Sequence, residues 1–407
     1  VERGGLAAFS PRAGRDMREF FQGFTLIYGP PGSGKTSLAL HAAAQMGERV
    51  LYVGFYETAE KVREKAAGLG LDPSKFVVLD YVSISEVDLL LAGVVDQYVK
   101  ASPDVVILDG INALPQSREA ASSLYRLFRG PVIAIGEEQI GGSHFAYMAD
   151  TLLEVAQFFH RGARYRRLRV VKTRLGPSPG AEFYFTISRR GVRIIKKWSQ
   201  SDLGDKTVAV PSGRRVAFSE EVAKSLGEHM PGVRRPGLLY NSRVAVYLCD
   251  HPKCLRLAAA YLCDYLDNVK VGVISTVRLI GLLARHFGCE VEEVVLPASA
   301  LSEDYPLEEA VEKIRGAPVV SLYGLEEVLT VYGPERVAYI LDFIQSALPG
   351  VALLATFKGV EPTPELLNAF NTVWRYYPDR AVVVKSALGW PVHELKIVEE
   401  GGKFVFK

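Results

Sequence analysis

A chain of 407 residues is too long for one compact core, so two domains of roughly 150 to 200 residues are expected. With 48% hydrophobic and 23% charged residues and no low-complexity tract, the composition is that of a soluble globular protein, and no apolar run reaches the roughly 18 residues that span a bilayer. A formal net charge of +2 excludes a general affinity for polyanions, so any nucleic-acid contact needs a local basic cluster.

The opening stretch, VERGGLAAFSPRAGRDM, has no apolar core of the signal-peptide kind, and a cytoplasmic location is expected. From Phe24 the first half alternates strand-like and helical runs. FTLIYG precedes a helix from about Lys35, and RVLYVGFY precedes one from about Ala59, with Val62, Ala66 and Leu69 at helical spacing. FVVLDY, DVVILDG and GPVIAIG continue the series around a helix near Ala120 to Phe128. Near-continuous Val, Ile and Leu strands with helical crossovers predict an α/β fold, a mostly parallel sheet covered on both faces. From Leu152 the runs TLLEVAQFF, RYRRLRVVKTR, AEFYFTI and GVRIIKKW read as antiparallel strands joined by tight turns.

Between the first strand and helix lies GPPGSGKT, Gly29 to Thr36, which fits G-x-x-x-x-G-K-[ST]. Glycines let successive backbone N–H groups curl round a phosphate chain, and the following helix offers its positive end to the same anion. Gly29, Pro30, Pro31, Gly32, Ser33, Gly34, Lys35, Thr36 and Ser37 are therefore the candidate ATP contacts. Lys35 would reach the β- and γ-phosphates, and Thr36 would supply an oxygen to Mg²⁺. Asp109 closes DVVILD at the carboxyl end of a strand, where such sheets bind ligands, and is the second candidate for holding Mg²⁺.

The run RGARYRRLRVVKTR (161–174) carries seven Arg or Lys among fourteen residues. It is either a phosphate-backbone track or, the favoured reading, a strand whose alternate residues face solvent or a subunit boundary. Segment 201–235, rich in Gly, Pro, Ser and charge around one short amphipathic helix, reads as linker and lead-in. Beyond it the strand–helix order recurs through 236–407. PDVVILDGINAL (103–114) is matched by APVVSLYGLEEVL (317–329), and VVKTRLGPSPGAEFYFTISRRGVRII (170–195) by VVKSALGWPVHELKIVEEGGKFVF (383–406). Two copies of one domain, 1–200 and 236–407, are expected.

The second copy has lost the phosphate loop. LCDHPKCLRL replaces GPPGSGKTSL with no glycine and an expected loss of one residue, Tyr323 stands for Asp109, Ala387 for Arg174, and an apolar or neutral residue of VISTVRLIG for Glu57. Cys249, Cys254, Cys263 and Cys289 all lie here. CDHPKC lacks the paired spacing of a zinc site, which leaves buried apolar cysteines as the main reading. Scarce Asn, Gln and Met suggest heat adaptation, under which an intracellular disulfide is also tolerated.

VGFYETAEKVREKAAGLGLD (53–72) resembles the KaiC/RadA branch of the RecA-like P-loop ATPases, in which a strand ends in Phe-Glu-Glu-Thr-Pro. VVKTR (170–174) is similar to the Lys-x-Arg that the family carries on a late hairpin. The resemblance covers 20–195 in residues and 236–407 in architecture. It implies two RecA-like domains, the second degenerate, and a homo-oligomeric ring or filament with ATP between protomers. It further implies Glu57 as the carboxylate that aligns water, Lys172 and Arg174 as catalytic cations acting across the interface, and Gln139 as a γ-phosphate sensor. The family's first acid is Tyr56 here, a phenol and a poor base at neutral pH, which implies slow ATP hydrolysis. A nucleotide-gated scaffold without turnover and a single-strand nucleic-acid-binding recombinase relative remain as alternatives.

Overall fold

The computed structural model describes residues 17–80, 87–115, 117–174, 177–222, 224, 237–361, 363–386 and 394–407. The opening stretch to residue 16, most of the amphipathic helix expected within 201–235, and Ala387 lie outside the described residues. The chain divides into two compact units between Lys196 and Lys197, with the turn His160–Ala163 grouped with the second.

The first unit is built on β1 (Phe24–Tyr28), β2 (Val50–Gly54), β3 (Phe76–Asp80), β4 (Val105–Asp109), β5 (Val132–Gly136), β6 (Thr151–His160), β7 (Ala163–Thr173), β8 (Glu182–Ser188) and β9 (Gly191–Ile195). They form one sheet in the order β3-β2-β4-β5-β1-β6-β7-β8-β9. Its strands are apolar on both faces because both are covered. Ile27, Tyr52, Ile107, Ile133 and Leu153 pack with Leu38, Ala39, Ala42 and Ala43 of α1 (Lys35–Met46). Leu26, Val53, Val106, Ala134 and Leu152 form a separate core on the opposite face. The helix α2 (Ala59–Gly68) buries Val62 and Ala66 against the α1 side.

One strand runs differently from the expectation. The stretch from Leu152 begins as a parallel neighbour of β1, with Leu26 opposite Leu152 and Tyr28 opposite Glu154. On its other side β6 turns back into β7 through the two residues Arg161 and Gly162, and from there β7–β8 and β8–β9 are antiparallel as expected. Thr151 and Leu152 to Val155 are buried or nearly so, as an interior strand requires, and only the last residues of β6 become exposed.

The second unit holds a ten-stranded sheet. Its strands are β11 (Val216–Phe218), β13 (Arg243–Leu248), β14 (Val271–Ser275), β15 (Glu293–Val295), β16 (Val319–Tyr323), β17 (Ala352–Lys358), β18 (Thr372–Tyr376), β19 (Arg380–Ser386), β20 (Glu394–Glu400) and β21 (Lys403–Phe406). Read from its far edge, the order is β15-β14-β16-β17-β13-β18-β19-β20-β21-β11. Apart from β11, this repeats the first sheet strand for strand. A small separate pair joins β10 (Thr207–Ala209) to β12 (Leu238–Leu239). Within the stretch read as a linker, Val216 to Phe218 lie parallel to Phe404 to Phe406, and Val216 is buried.

The cysteines are neither zinc ligands nor free apolar thiols. Cys249 is bonded to Cys254 and Cys263 to Cys289. Among the described residues no group of three or more His, Cys, Asp or Glu is placed to hold a metal ion, and no helix is long and apolar enough to cross a membrane.

Candidate functional site

β1 ends at Tyr28 and α1 begins at Lys35, so Gly29 to Gly34 must turn the chain over the carboxyl edge of the sheet. Two glycines make the turn feasible. At Gly29 (φ +148°) a Cβ would fall 1.9 Å from the Val155 carbonyl oxygen, so the loop leaves the sheet pressed against β6. Gly34 (φ +102°) caps α1 in the left-handed region, and a Cβ there would meet Ile187 Cδ1 at 2.6 Å. The first turn of α1 holds no acid to oppose an anion.

The loop opens into a cleft of about 460 Å³. Its lining includes Pro31, Gly32 and Gly34 of the loop, Lys35, Thr36 and Ser37 at the start of α1, Tyr56 and Glu57 after β2, Asp109 at the end of β4, and Glu137 after β5. Lys35 Nζ donates to the carbonyls of Gly29 and Pro30, each at 2.8 Å. Burial lowers its pKa, and the negative charges of Asp109, Glu137 and Glu138 oppose that shift. Ser33 is fully buried in the loop, and its Oγ has no hydrogen-bond partner. A buried hydroxyl without a partner is costly, and a phosphate oxygen would satisfy it.

Asp109 is bound by two hydroxyls. Thr36 Oγ1 donates to Asp109 Oδ2 at 2.9 Å and Tyr52 OH to the same oxygen at 2.5 Å. Burial raises the Asp109 pKa, and these two hydrogen bonds work against it. The donors fit a Mg²⁺ site: Thr36 can offer a lone pair while its O–H donates to Asp109, and the carboxylate supplies charge to the metal's water shell. The contact with Tyr52 was not anticipated. The only sequence signal was an aromatic in an otherwise aliphatic strand, two residues before a glycine.

Glu57 reaches the same cleft, but its Oε1 is paired with Lys65 of α2, and its buried Oε2 has no hydrogen-bond partner. Tyr56 is 60% exposed and lies across Gly110, where a Cβ would touch its ring. Gln139 is exposed and does not line the cleft; Glu137 does, with its N–H donating to Asn112 Oδ1 at 2.7 Å.

Lys172 and Arg174 stand elsewhere. Lys172 Nζ donates to the carbonyls of Ala146 (3.3 Å) and Tyr147 (2.6 Å), and Arg174 Nη1 pairs with Asp150 at 3.0 Å. Asp150 in turn accepts the N–H of Phe24, which starts β1, so this group sits at the end of the sheet opposite the loop. Of the basic run, Arg166 lines the cleft, whereas Arg167 pairs with Glu182 (3.3 Å) and Arg169 with Glu154 (3.2 Å).

In the second unit β13 ends at Leu248 and its helix begins at Pro252, so three residues stand where the first unit has six, a larger loss than one residue. The Cys249–Cys254 bond closes this turn, and its cations are engaged: Lys358 with Asp250, Lys253 and Arg256 with Glu399. Gly54 lies opposite Asp109 and Ser275 opposite Tyr323. Counting on from those pairs, the position of Glu57 is held by Arg278, which is basic and not neutral.

Comparison with known proteins agrees with the loop. Residues 25–135 match the family model described as ATPase family associated with various cellular activities (AAA). The chain is 35% identical over 95 residues to Protein RecA of Synechococcus sp. (strain CC9902) and of Parasynechococcus marenigrum (strain WH8102), in each case 23% of this chain and 24% of the relative. Protein RecA of Prochlorococcus marinus (strain MIT 9303) is 34% identical over the same length. The chain thus aligns with about a quarter of the length of these curated relatives. Strand order, loop geometry and these matches together give the first unit the fold of P-loop NTPase domains, with similarity to RecA over part of its length.

Proposed function

We propose that the first unit binds MgATP and hydrolyses it slowly to ADP and phosphate, in a RecA-like protein of the KaiC/RadA type whose second unit is a copy without the site. The observation that carries this reading is the meeting of Lys35, the orphan Ser33 hydroxyl and the Thr36–Asp109 pair in one cleft. Gly29 to Ser37 would cradle the triphosphate, and Thr36 and Asp109 would hold Mg²⁺, which when bound neutralises charge on the β- and γ-phosphate oxygens. Lys35 would exchange its two loop carbonyls for phosphate oxygens. Glu57, once parted from Lys65, would orient the attacking water.

Lys172 and Arg174 lie away from their own cleft, which supports a role on a neighbour's nucleotide in a homo-oligomer. The second unit would then serve assembly or regulation. A specific observation favours the alternative of a nucleotide-gated scaffold: Glu57 is held by Lys65, and its neighbour is a phenol. Carboxylate pairing of Arg167, Arg169 and Arg174 weighs against single-strand nucleic-acid binding.

Phosphate release by wild type, Lys35→Ala and Glu57→Gln tests the reading. Lys35→Ala should lose nucleotide binding, and Glu57→Gln should bind ATP but release phosphate about 100-fold more slowly. Equal rates for Glu57→Gln and wild type would leave the scaffold. Solution mass with and without MgATP tests the trans role; a monomer in both states would remove it.

A further inference from the structure

We propose that Tyr52 is a positioning residue for the metal-holding carboxylate, its phenol fixing Asp109 so that Thr36 and Asp109 present one preset face to Mg²⁺. This inference rests on the MgATP reading and adds to it a residue outside the phosphate-loop motif.

The geometry follows from register. Side chains alternate across a strand, so Tyr52 and Gly54 of β2 share the face of Ile107 and Asp109 of β4. Gly54 is directly opposite Asp109, and Tyr52 is the diagonal neighbour, within reach only of a long side chain. Gly54 clears the way: a Cβ there would lie 3.0 Å from Tyr52 Cε1 and 3.2 Å from the Glu57 carbonyl oxygen. The ring leans over the glycine and delivers its hydroxyl to Asp109 Oδ2 at 2.5 Å. With Thr36 on the same oxygen, the carboxylate is held by two donors, and neither of them bonds Oδ1. Tyr52 is fully buried, so packing holds the phenol in place against Asp109 Oδ2.

The second sheet supplies an internal comparison. At the three corresponding positions it carries Val273 for Tyr52, Ser275 for Gly54 and Tyr323 for Asp109. A phenol needed only to fill the core would have no reason to vanish together with the carboxylate it touches. In the second unit donor, gap and acceptor are absent together, as the parts of one device would be.

The test measures metal directly. Mn²⁺ affinity is read by electron paramagnetic resonance on the full chain loaded with ATP, and ATP affinity is read separately in EDTA. Tyr52→Phe should weaken Mn²⁺ binding on the order of tenfold and leave metal-free ATP binding unchanged. In an Asp109→Asn background Tyr52→Phe should add little, because its effect passes through the carboxylate. An unchanged Mn²⁺ affinity in Tyr52→Phe, or an equal loss in the Asp109→Asn background, would overturn the inference. If Tyr52→Phe does not fold, the wild-type chain labelled with 3-fluorotyrosine decides. Adding Mg²⁺ to the ATP-loaded protein should then move a solvent-shielded ¹⁹F resonance, and no movement would overturn it. Failure of wild type to bind ATP at all would instead sink the underlying reading.

Discussion

Asp109 and Tyr323 hold the same place in two sheets of the same strand order, the first opposite Gly54 and the second opposite Ser275. Even the local backbone agrees. The Phe55 N–H donates to the Asp109 carbonyl and the Thr276 N–H to the Tyr323 carbonyl, and each strand is followed by a left-handed glycine, Gly110 or Gly324. Tyr323 is buried, and burial raises its phenol pKa, so it offers no charge to a metal. With the turn before it cut to three residues and tied by a disulfide, the second unit has no room for a triphosphate cradle. Calorimetry should therefore count one ATP per chain in wild type and none in Lys35→Ala. Heat of binding in that variant would mean that the second unit holds nucleotide after all.

Arg166 and Arg167 are adjacent in sequence and face opposite sides of β7. Arg166 lines the phosphate-loop cleft, while Arg167 stacks over Phe158 at 6.0 Å and pairs with Glu182. Charge reversal at Arg166 should weaken ATP binding several-fold or more, since it sets a carboxylate beside the phosphates. Reversal at Arg167 should change it by less than about twofold, as an exposed ion pair on the far face contributes little. Parallel titrations with a fluorescent ATP analogue separate the two. Equal losses would mean that the strand's alternation does not govern the site.

These contrasts mark what a linear reading can reach. The phosphate loop and the Asp109 strand were legible because their chemistry is fixed by short spacing: glycines beside a lysine, an acid after four apolar residues. The link between Tyr52 and Asp109 was not, because it depends on strand register, which brings together residues 57 positions apart. Register also converts an expected neutral counterpart of Glu57 into Arg278. β6 turns back into β7 as its composition suggests, but its parallel pairing with β1 on the other side has no local signal in the sequence. The cysteine pairs were hidden for the same reason, since Cys263, in the helix Pro252–Leu266, and Cys289, just past the helix Ile280–His286, meet only when those two helices pack.

The two disulfides should differ in worth. In the chain-entropy account a cross-link stabilises by restricting the unfolded chain, and more so for a longer loop. The Cys249–Cys254 separation of 5 gives about 2 kcal/mol and the Cys263–Cys289 separation of 26 about 3.5 kcal/mol. Paired Cys→Ala replacement should lower the denaturant midpoint of the second unit in both cases, more for Cys263 and Cys289. ATP stoichiometry should stay unchanged in both variants. A larger loss from the short loop would show that its bond does more than restrict the unfolded chain.

His41 gives the first unit a dependence on pH. It lies on α1 beneath the phosphate loop, 8% exposed, with Nε2 2.9 Å from Gln45 Nε2 and a buried Nδ1 that has no hydrogen-bond partner. The β8–β9 turn presses on it so closely that a Cβ at Gly191 would fall 2.1 Å from Nδ1. Burial lowers its pKa below the ordinary value of 6.5. The unfolded chain therefore takes up a proton at a pH where the folded one resists it. Stability is highest above 6.5, falls as pH drops from there toward the folded-state pKa, and levels off below it. Melting temperature followed from about pH 8 to about pH 5 should decline in wild type, and the decline should be smaller in His41→Gln, which removes the ionisation. Parallel curves for the two proteins would rule His41 out as the cause.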